Sequence, residues 1–249
     1  MNKLLRFLYV IVGNLYRAWM IPTMGYYSRH PEKYSEEFRY RYDQHAINLM
    51  KKTGRITTIA HGVENLPKEG GYVMFANHQG KYDALGIMHT HENPCSVVMD
   101  DARSHGPLVK QFIDLVQGKR LKLNDLRQAA GIIKEVTNEV KQGRKFIIFP
   151  SGGYEHRNGN HVDEFKPGCF KSAMRAKAPI VPVAIVDSWK VFDLWSLRKV
   201  ITHVFYLKPI EYDEYKKMKS VEVARLVYDR ICSAVAEAEA GNEDIAAIQ

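Results

Sequence analysis

The stretch GYVMFANHQGKYDALG, residues 71–86, decides how this chain is read. Tyr72 to Ala76 is a short apolar run bounded by turn residues, the pattern of a buried strand. A polar turn containing Gly80 follows, and a helix is expected after it. The same alternation continues outward on both sides. Upstream, ITTIA reads as a strand, with a turn at Pro67 to Gly71. Downstream, PCSVVMD is a strand ending at Asp100, residues 104–117 suit a helix, and Leu126 to Lys141 carries Ala129, Ile132, Ile133 and Val136 at helical spacing. RKFIIFPSGG then runs from a strand into a Gly-rich turn. Gly168 to Lys177 and Val221 to Glu239 read as helices, Ile180 to Val186 and residues 200–207 as strands, and the tail from Gly241 as a frayed end. Strands alternating with helices predict an α/β domain with a mixed or mostly parallel central sheet flanked by helices.

At 249 residues the chain suits one sizeable domain with or without an appendage, and a hydrophobic share of 45% is ample for a core. Lys and Arg number 36 against 28 Asp and Glu, a net charge of +8 that favours an anionic partner. Nucleic acid, an anionic membrane surface and a phosphorylated substrate all meet that condition. No helix-turn-helix, zinc or RNA-module pattern is present, so nucleic acid is not the expected partner. Cys95, Cys169 and Cys232 show no CxxC spacing, and His89, His91, His105, His161 and His203 form no ligand motif such as H-E-x-x-H. No metal site is expected.

The amino-terminal region differs in character. Leu4, Leu5, Leu8, Ile11, Val12 and Leu15 form an apolar stripe at helical spacing, with Tyr9, Tyr16 and Trp19 at its edges and Lys3, Arg6 and Arg17 interspersed. The unbroken apolar run is too short to span a bilayer. Pro22 is expected to interrupt or end the helix. Such a segment suits either the plane of a membrane interface or packing on its own domain. Residues 1–52 are therefore read as an amphipathic helical membrane-interface region and 53–249 as the α/β domain.

Ligand sites in open α/β sheets gather beyond the carboxyl ends of strands. Two such ends carry chemistry here: Ala76-Asn77-His78, and Phe149-Pro150-Ser151-Gly152-Gly153. His78 can act as a general base if a carboxylate holds its other ring nitrogen, and Gly80 makes a turn that could return Asp83 to it. The alternative is that both residues cap the following helix. No G-x-S-x-G elbow supplies a covalent nucleophile, so a substrate hydroxyl would have to attack. Gly152 and Gly153 permit close backbone approach or simply shape a turn. Arg120, Lys122 and Asn124 alternate, so in an extended segment they would share a face able to clamp a phosphate, or form a solvated edge. His156 and Arg157 lie in the polar loop after the glycines.

Taken together these pieces resemble the glycerolipid acyltransferases, in particular the bacterial 1-acyl-sn-glycerol-3-phosphate acyltransferase family, over roughly residues 58–210. The family's Asn-His, four residues, then Asp is intact as NHQGKYD. The resemblance implies that His78 is the general base and Asp83 its orienting partner. In the second family block, Asn124 falls where an arginine is expected, with Arg120 or Lys122 as substitutes on the same face. The third block, Phe-Pro-Glu-Gly-Thr-Arg in the family, is here FPSGGY. Ser151 replaces the glutamate, Gly153 the threonine and Tyr154 the arginine, and Glu155 or Glu164 could compensate. EFKPG matches the family's Phe-Lys-x-Gly helix start and brings in Lys166.

What the resemblance implies is acyl transfer from acyl-CoA or acyl-carrier protein to a lysophospholipid hydroxyl, lysophosphatidate first, without a bound cofactor. The protein would sit peripherally, through its amino-terminal helices, on the anionic cytoplasmic face of the cell membrane. The altered third block leaves two alternatives open: another lysolipid or glycerol 3-phosphate as acceptor, or a catalytically impaired lipid-binding homologue.

Overall fold

The computed structural model describes residues 5–106, 108–154 and 159–248, with side chains through residue 241. Its strands are Ile56–His61 (β1), Val73–Ala76 (β2), Ser96–Asp100 (β3), Lys119–Leu121 (β4), Phe146–Ile148 (β5), Ile180–Val186 (β6) and Val200–Tyr206 (β7). They form one sheet in the order β1-β7-β6-β2-β5-β3-β4. Only β6 and β7 pair antiparallel; every other pairing is parallel. The carboxyl ends of β6, β2, β5, β3 and β4 therefore line one rim. β2 and β6 are buried on both faces, which their continuous apolar runs require, whereas β7 alternates toward the sheet edge.

The helices are Leu5–Gly13 (α1), Met20–Arg29 (α2), Glu36–Gly54 (α3), Asp83–Thr90 (α4), Val109–Leu115 (α5), Leu126–Lys141 (α6), Lys171–Ala176 (α7), Lys190–Asp193 (α8), Tyr212–Tyr215 (α9) and Ser220–Ile248 (α10). On one sheet face Phe75, Phe146 and Phe170 pack with Val136 of α6 and with Val227 and Ile231 of α10. On the other, Met74, Ile147 and Val181 meet Tyr40 and Ile47 of α3 and Ile87 of α4. Phe75 stacks on Phe170 at 4.1 Å between centroids. A side chain so buried contributes about 1.5–3 kcal/mol, and truncating Phe75 to alanine would cost about 3–5 kcal/mol.

Several helix limits differ from the sequence reading for local reasons. The first helix stops at Gly13, and Pro22 falls in the first turn of α2, so it opens a helix rather than ending one. Its missing N–H lies where no intrahelical acceptor exists. The helix expected over 104–117 shortens to α5. The one expected over 168–177 opens as a 3-10 turn at Pro167–Phe170, and α10 continues through Gly241 where a frayed tail was expected. α3 begins after Ser35, whose hydroxyl accepts from Phe38 N, and it carries Tyr40 and Ile47 into the core.

α1 is pinned by a buried charge. The Arg6 guanidinium donates to the carbonyls of Gly54 at 2.5 Å, Ser196 at 2.7 Å and Arg198 at 2.7 Å. Leu8, Tyr9, Val12, Leu15, Tyr16 and Trp19 remain exposed. No helix among the described residues is long and apolar enough to cross a membrane.

Candidate active site

β2 ends at Ala76, and the two residues after it do different work. Asn77 is buried and extends the ladder with its side chain: its amide donates to the Ile185 carbonyl at 2.9 Å and accepts from Ile185 N at 2.7 Å. That pins the end of β2 to β6 and directs the chain into the turn at 78–82. His78 Nδ1 lies 2.6 Å from Asp83 Oδ2. The same oxygen accepts from Gln79 N at 2.5 Å and Gly80 N at 2.8 Å, and Oδ1 accepts the Ser188 hydroxyl at 2.5 Å. Asp83 thus binds the amides of the turn it closes. The alternative role, capping the following helix, is not what its oxygens do.

A carboxylate that accepts from all sides holds the imidazole with Nδ1–H toward it, leaving Nε2 as the basic nitrogen. No hydrogen-bond partner for Nε2 is found among the described residues. The His78 side chain is 19% exposed while that of Asp83 is fully buried, so the pair has a wet end and a dry end. Rings hold the imidazole from two directions. Phe149 stacks on it at 4.4 Å, and Tyr154 meets it edge-on at 4.7 Å.

Ser188 was not singled out from the sequence. It follows β6, and the signal available was a polar pair, Asp187-Ser188, at a strand's carboxyl end. Gln79 was also passed over. Its side chain donates to Asn160 Oδ1 and the Ile185 carbonyl and accepts from Ser188 N, so the x position of the motif braces the rim.

The turn after β5 lies beside this pair. Gly152 has φ +75°, and a β-carbon there would stand 3.1 Å from Lys166 Nζ and 3.2 Å from Leu123 Cδ2. The positive φ is what favours glycine, since both neighbours are ends of flexible side chains that could yield a few tenths of an ångström. Its N–H closes the turn on the Phe149 carbonyl at 3.1 Å, so a donor for a developing oxyanion has to come from a neighbouring amide. The Ser151 hydroxyl donates to the Gly153 carbonyl at 2.6 Å. Lys166 also ties its backbone N–H to the Pro150 carbonyl. The structure thus brings Ser151, Gly152, Gly153 and Lys166 together next to His78.

The second block is arranged differently. The extended segment ends at Leu121, so Arg120, Lys122 and Asn124 do not share a strand face. Arg120 donates to Asp114 Oδ1 at 2.6 Å and to the Ser104 hydroxyl at 2.9 Å, and only 23% of its side chain is exposed. Lys122 and Asn124 are exposed just beyond β4, and Glu164 is exposed in its loop. Glu155, His156 and Arg157 lie outside the described residues. One further cation reaches the site without having been anticipated. The Arg103 guanidinium sits 5.7 Å over the Tyr154 ring, and its Nη1 would be 3.8 Å from a β-carbon on Gly153.

Residues 58–186 match the family model named Acyltransferase, and that segment contains β2, the His78–Asp83 pair and the β5 turn. The chain belongs to the Acyltransferase family. Similar members include the 1-acyl-sn-glycerol-3-phosphate acyltransferase of Escherichia coli, 30% identical over 156 residues, covering 62% of this chain and 63% of that protein. The Saccharomyces cerevisiae enzyme of the same name is 26% identical over 181 residues, covering 71% of this chain and 59% of the yeast protein. This acyltransferase chain therefore matches under two thirds of either relative's length. Among solved structures, the 1-acyl-sn-glycerophosphate acyltransferase PlsC from Thermotoga maritima superposes with a TM-score of 0.72 at 19% identity, over 95% of both chains. At that identity the likeness concerns the fold.

Proposed function

We propose that the protein transfers an acyl group from acyl-CoA or acyl-carrier protein to the free hydroxyl of lysophosphatidate, giving phosphatidate. The observation that carries this reading is the 2.6 Å contact between His78 Nδ1 and a buried Asp83 that is already saturated with donors. The acceptor hydroxyl yields its proton to His78 Nε2 as its oxygen bonds to the thioester carbonyl carbon. The tetrahedral intermediate then expels the thiolate, which takes the proton from the imidazolium, so the products are an ester and a free thiol. An amide beside Gly152 is the oxyanion donor that this turn can offer. The donor thioester is a substrate, and the reaction needs no resident cofactor.

The exposed Leu8, Tyr9, Val12, Leu15, Tyr16 and Trp19 support a peripheral seat on the anionic cytoplasmic face of the membrane, where the diacyl product can stay in lipid. The excess of positive charge suits the same surface.

Ser151 favours a second reading, because a short neutral hydroxyl turned onto Gly153 stands where the family pattern has a carboxylate. In that reading the acceptor is another lysolipid or glycerol 3-phosphate, or the chain binds lipid without turnover. Thiol release from each donor, with lysophosphatidate in mixed micelles, separates these cases. Acceptor-dependent release that His78→Ala reduces by about 10³-fold supports the proposal. Release found only in Ser151→Glu marks position 151 as the obstacle, and release with neither protein rejects lysophosphatidate transfer.

A further inference from the structure

We infer that Arg103 is the cation that receives the acceptor's phosphate, the task the sequence offered to Arg120 or Lys122. This rests on the acyl-transfer reading for the identity of the ligand, and on independent geometry for the position of the charge. Along the rim, three neighbouring strands present three groups in order: His78 after β2, Tyr154 after β5 and Arg103 after β3. Tyr154 touches both of the others, meeting His78 edge-on at 4.7 Å and lying 5.7 Å beneath the Arg103 guanidinium. The cation is therefore one aromatic ring away from the base. In a lysophosphatidate the free hydroxyl and the phosphorus are only a few bonds apart, which suits that separation.

Arg103 is also available, as Arg120 is not. Its side chain is 55% exposed, and its one ion pair among the described residues is a loose 3.7 Å contact with Asp100. Arg120 instead spends its guanidinium on Asp114 and Ser104 in a half-buried pocket. An aromatic face below an arginine holds the guanidinium plane while leaving its in-plane N–H groups to form a fork with phosphate oxygens. Tyr154 stands where the family block ends in arginine. Here the ring in that place supports an arginine arriving from the next strand. Lys166 Nζ, beside Gly152, adds a second positive charge at the same turn.

The test is binding of a non-reactive ligand, so that it does not depend on turnover. The probe is an ether-linked lysophosphatidate lacking the acceptor hydroxyl, titrated into the full chain in micelles beside the corresponding uncharged glyceride ether. Arg103→Ala is expected to weaken the phosphate ligand by about 10- to 100-fold and leave the glyceride unchanged. Arg103→Lys should recover part of that loss, because it keeps the charge and loses the fork. Asp100→Asn, which removes the loose partner, should bind as tightly as the unmodified chain or tighter.

Equal binding by the unmodified chain and Arg103→Ala overturns the assignment. So does a loss shared by both ligands, a matching loss in Asp100→Asn, or no preference for phosphate in the unmodified chain. Thiol release is read in parallel. Turnover without an Arg103 effect keeps the acyl-transfer reading and rejects Arg103. An Arg103 effect on the phosphate ligand without turnover in the unmodified chain or in Ser151→Glu rejects lysophosphatidate transfer and keeps Arg103 as an anion site.

Discussion

Asp83 and Asp43 are both fully buried, and they are opposite cases. Asp83 receives His78 Nδ1, two backbone amides and a serine hydroxyl. Asp43, inside α3, has neither carboxylate oxygen hydrogen-bonded among the described residues, and burial pushes its pKa well above the usual carboxylate range. Burial alone therefore does not mark a working carboxylate. A ring of donors keeps Asp83 an acceptor for the imidazole. Without such donors the favourable form of Asp43 is the protonated one.

The largest expected effect comes from making Asp83 neutral. Asp83→Asn should lower turnover by about 10²- to 10⁴-fold, since an amide no longer enforces the His78 tautomer or steadies the imidazolium. Steady-state thiol release measures it, and a loss under threefold would break the comparison. It should also cost about 1–3 kcal/mol in denaturant unfolding, because an amide group then faces N–H donors.

A smaller change moves Asp83 one step toward the condition of Asp43. Ser188→Ala removes the only donor found for Oδ1 among the described residues. Turnover should fall by roughly 3- to 10-fold at similar KM, with a stability loss of about 1 kcal/mol. Unchanged kcat would show that the hydroxyl is a spectator.

The smallest effect should have the opposite sign and concern stability alone. With its folded pKa raised, Asp43 holds a proton that the unfolded chain releases above about pH 4. Its contribution is fully present below that pH and is lost as pH climbs through the folded value. Asp43→Asn cannot ionise, so it should melt above the unmodified protein at pH 8, by roughly 2–4 °C for each kcal/mol recovered. The gap should close near pH 4. An equal difference at both pH values would show that ionisation of Asp43 is not its source.

How legible these features were depended on how local their causes are. Asp83 could be read because its partners His78, Gln79 and Gly80 lie within five positions, and a turn that short returns one side chain to the others. The alternation of β2, β5 and β6 with helices could be read for the same reason: apolar runs and their bounding turns are properties of adjacent residues. Pro22 was misjudged because a proline that opens a helix and one that ends it look alike until the preceding helix is known to stop at Gly13. The burial of Asp43 has no signature in the adjacent residues, because it follows from the packing of α3.

By itself the sequence determined the α/β class and the two strand ends that carry polar chemistry. Its resemblance to the family implied the pairing of His78 with Asp83, which the residues alone left beside a helix-capping alternative. Tertiary structure alone decided that Ser188 completes the carboxylate's donors from 105 residues away. It also decided that Arg120 turns to Asp114 while Arg103 crosses from β3 to Tyr154. The physical reason is that hydrogen bonds, ion pairs and ring contacts reach only a few ångströms. Which distant residues come within that reach is set by the order of strands in the sheet, and periodicity along one chain does not encode that order.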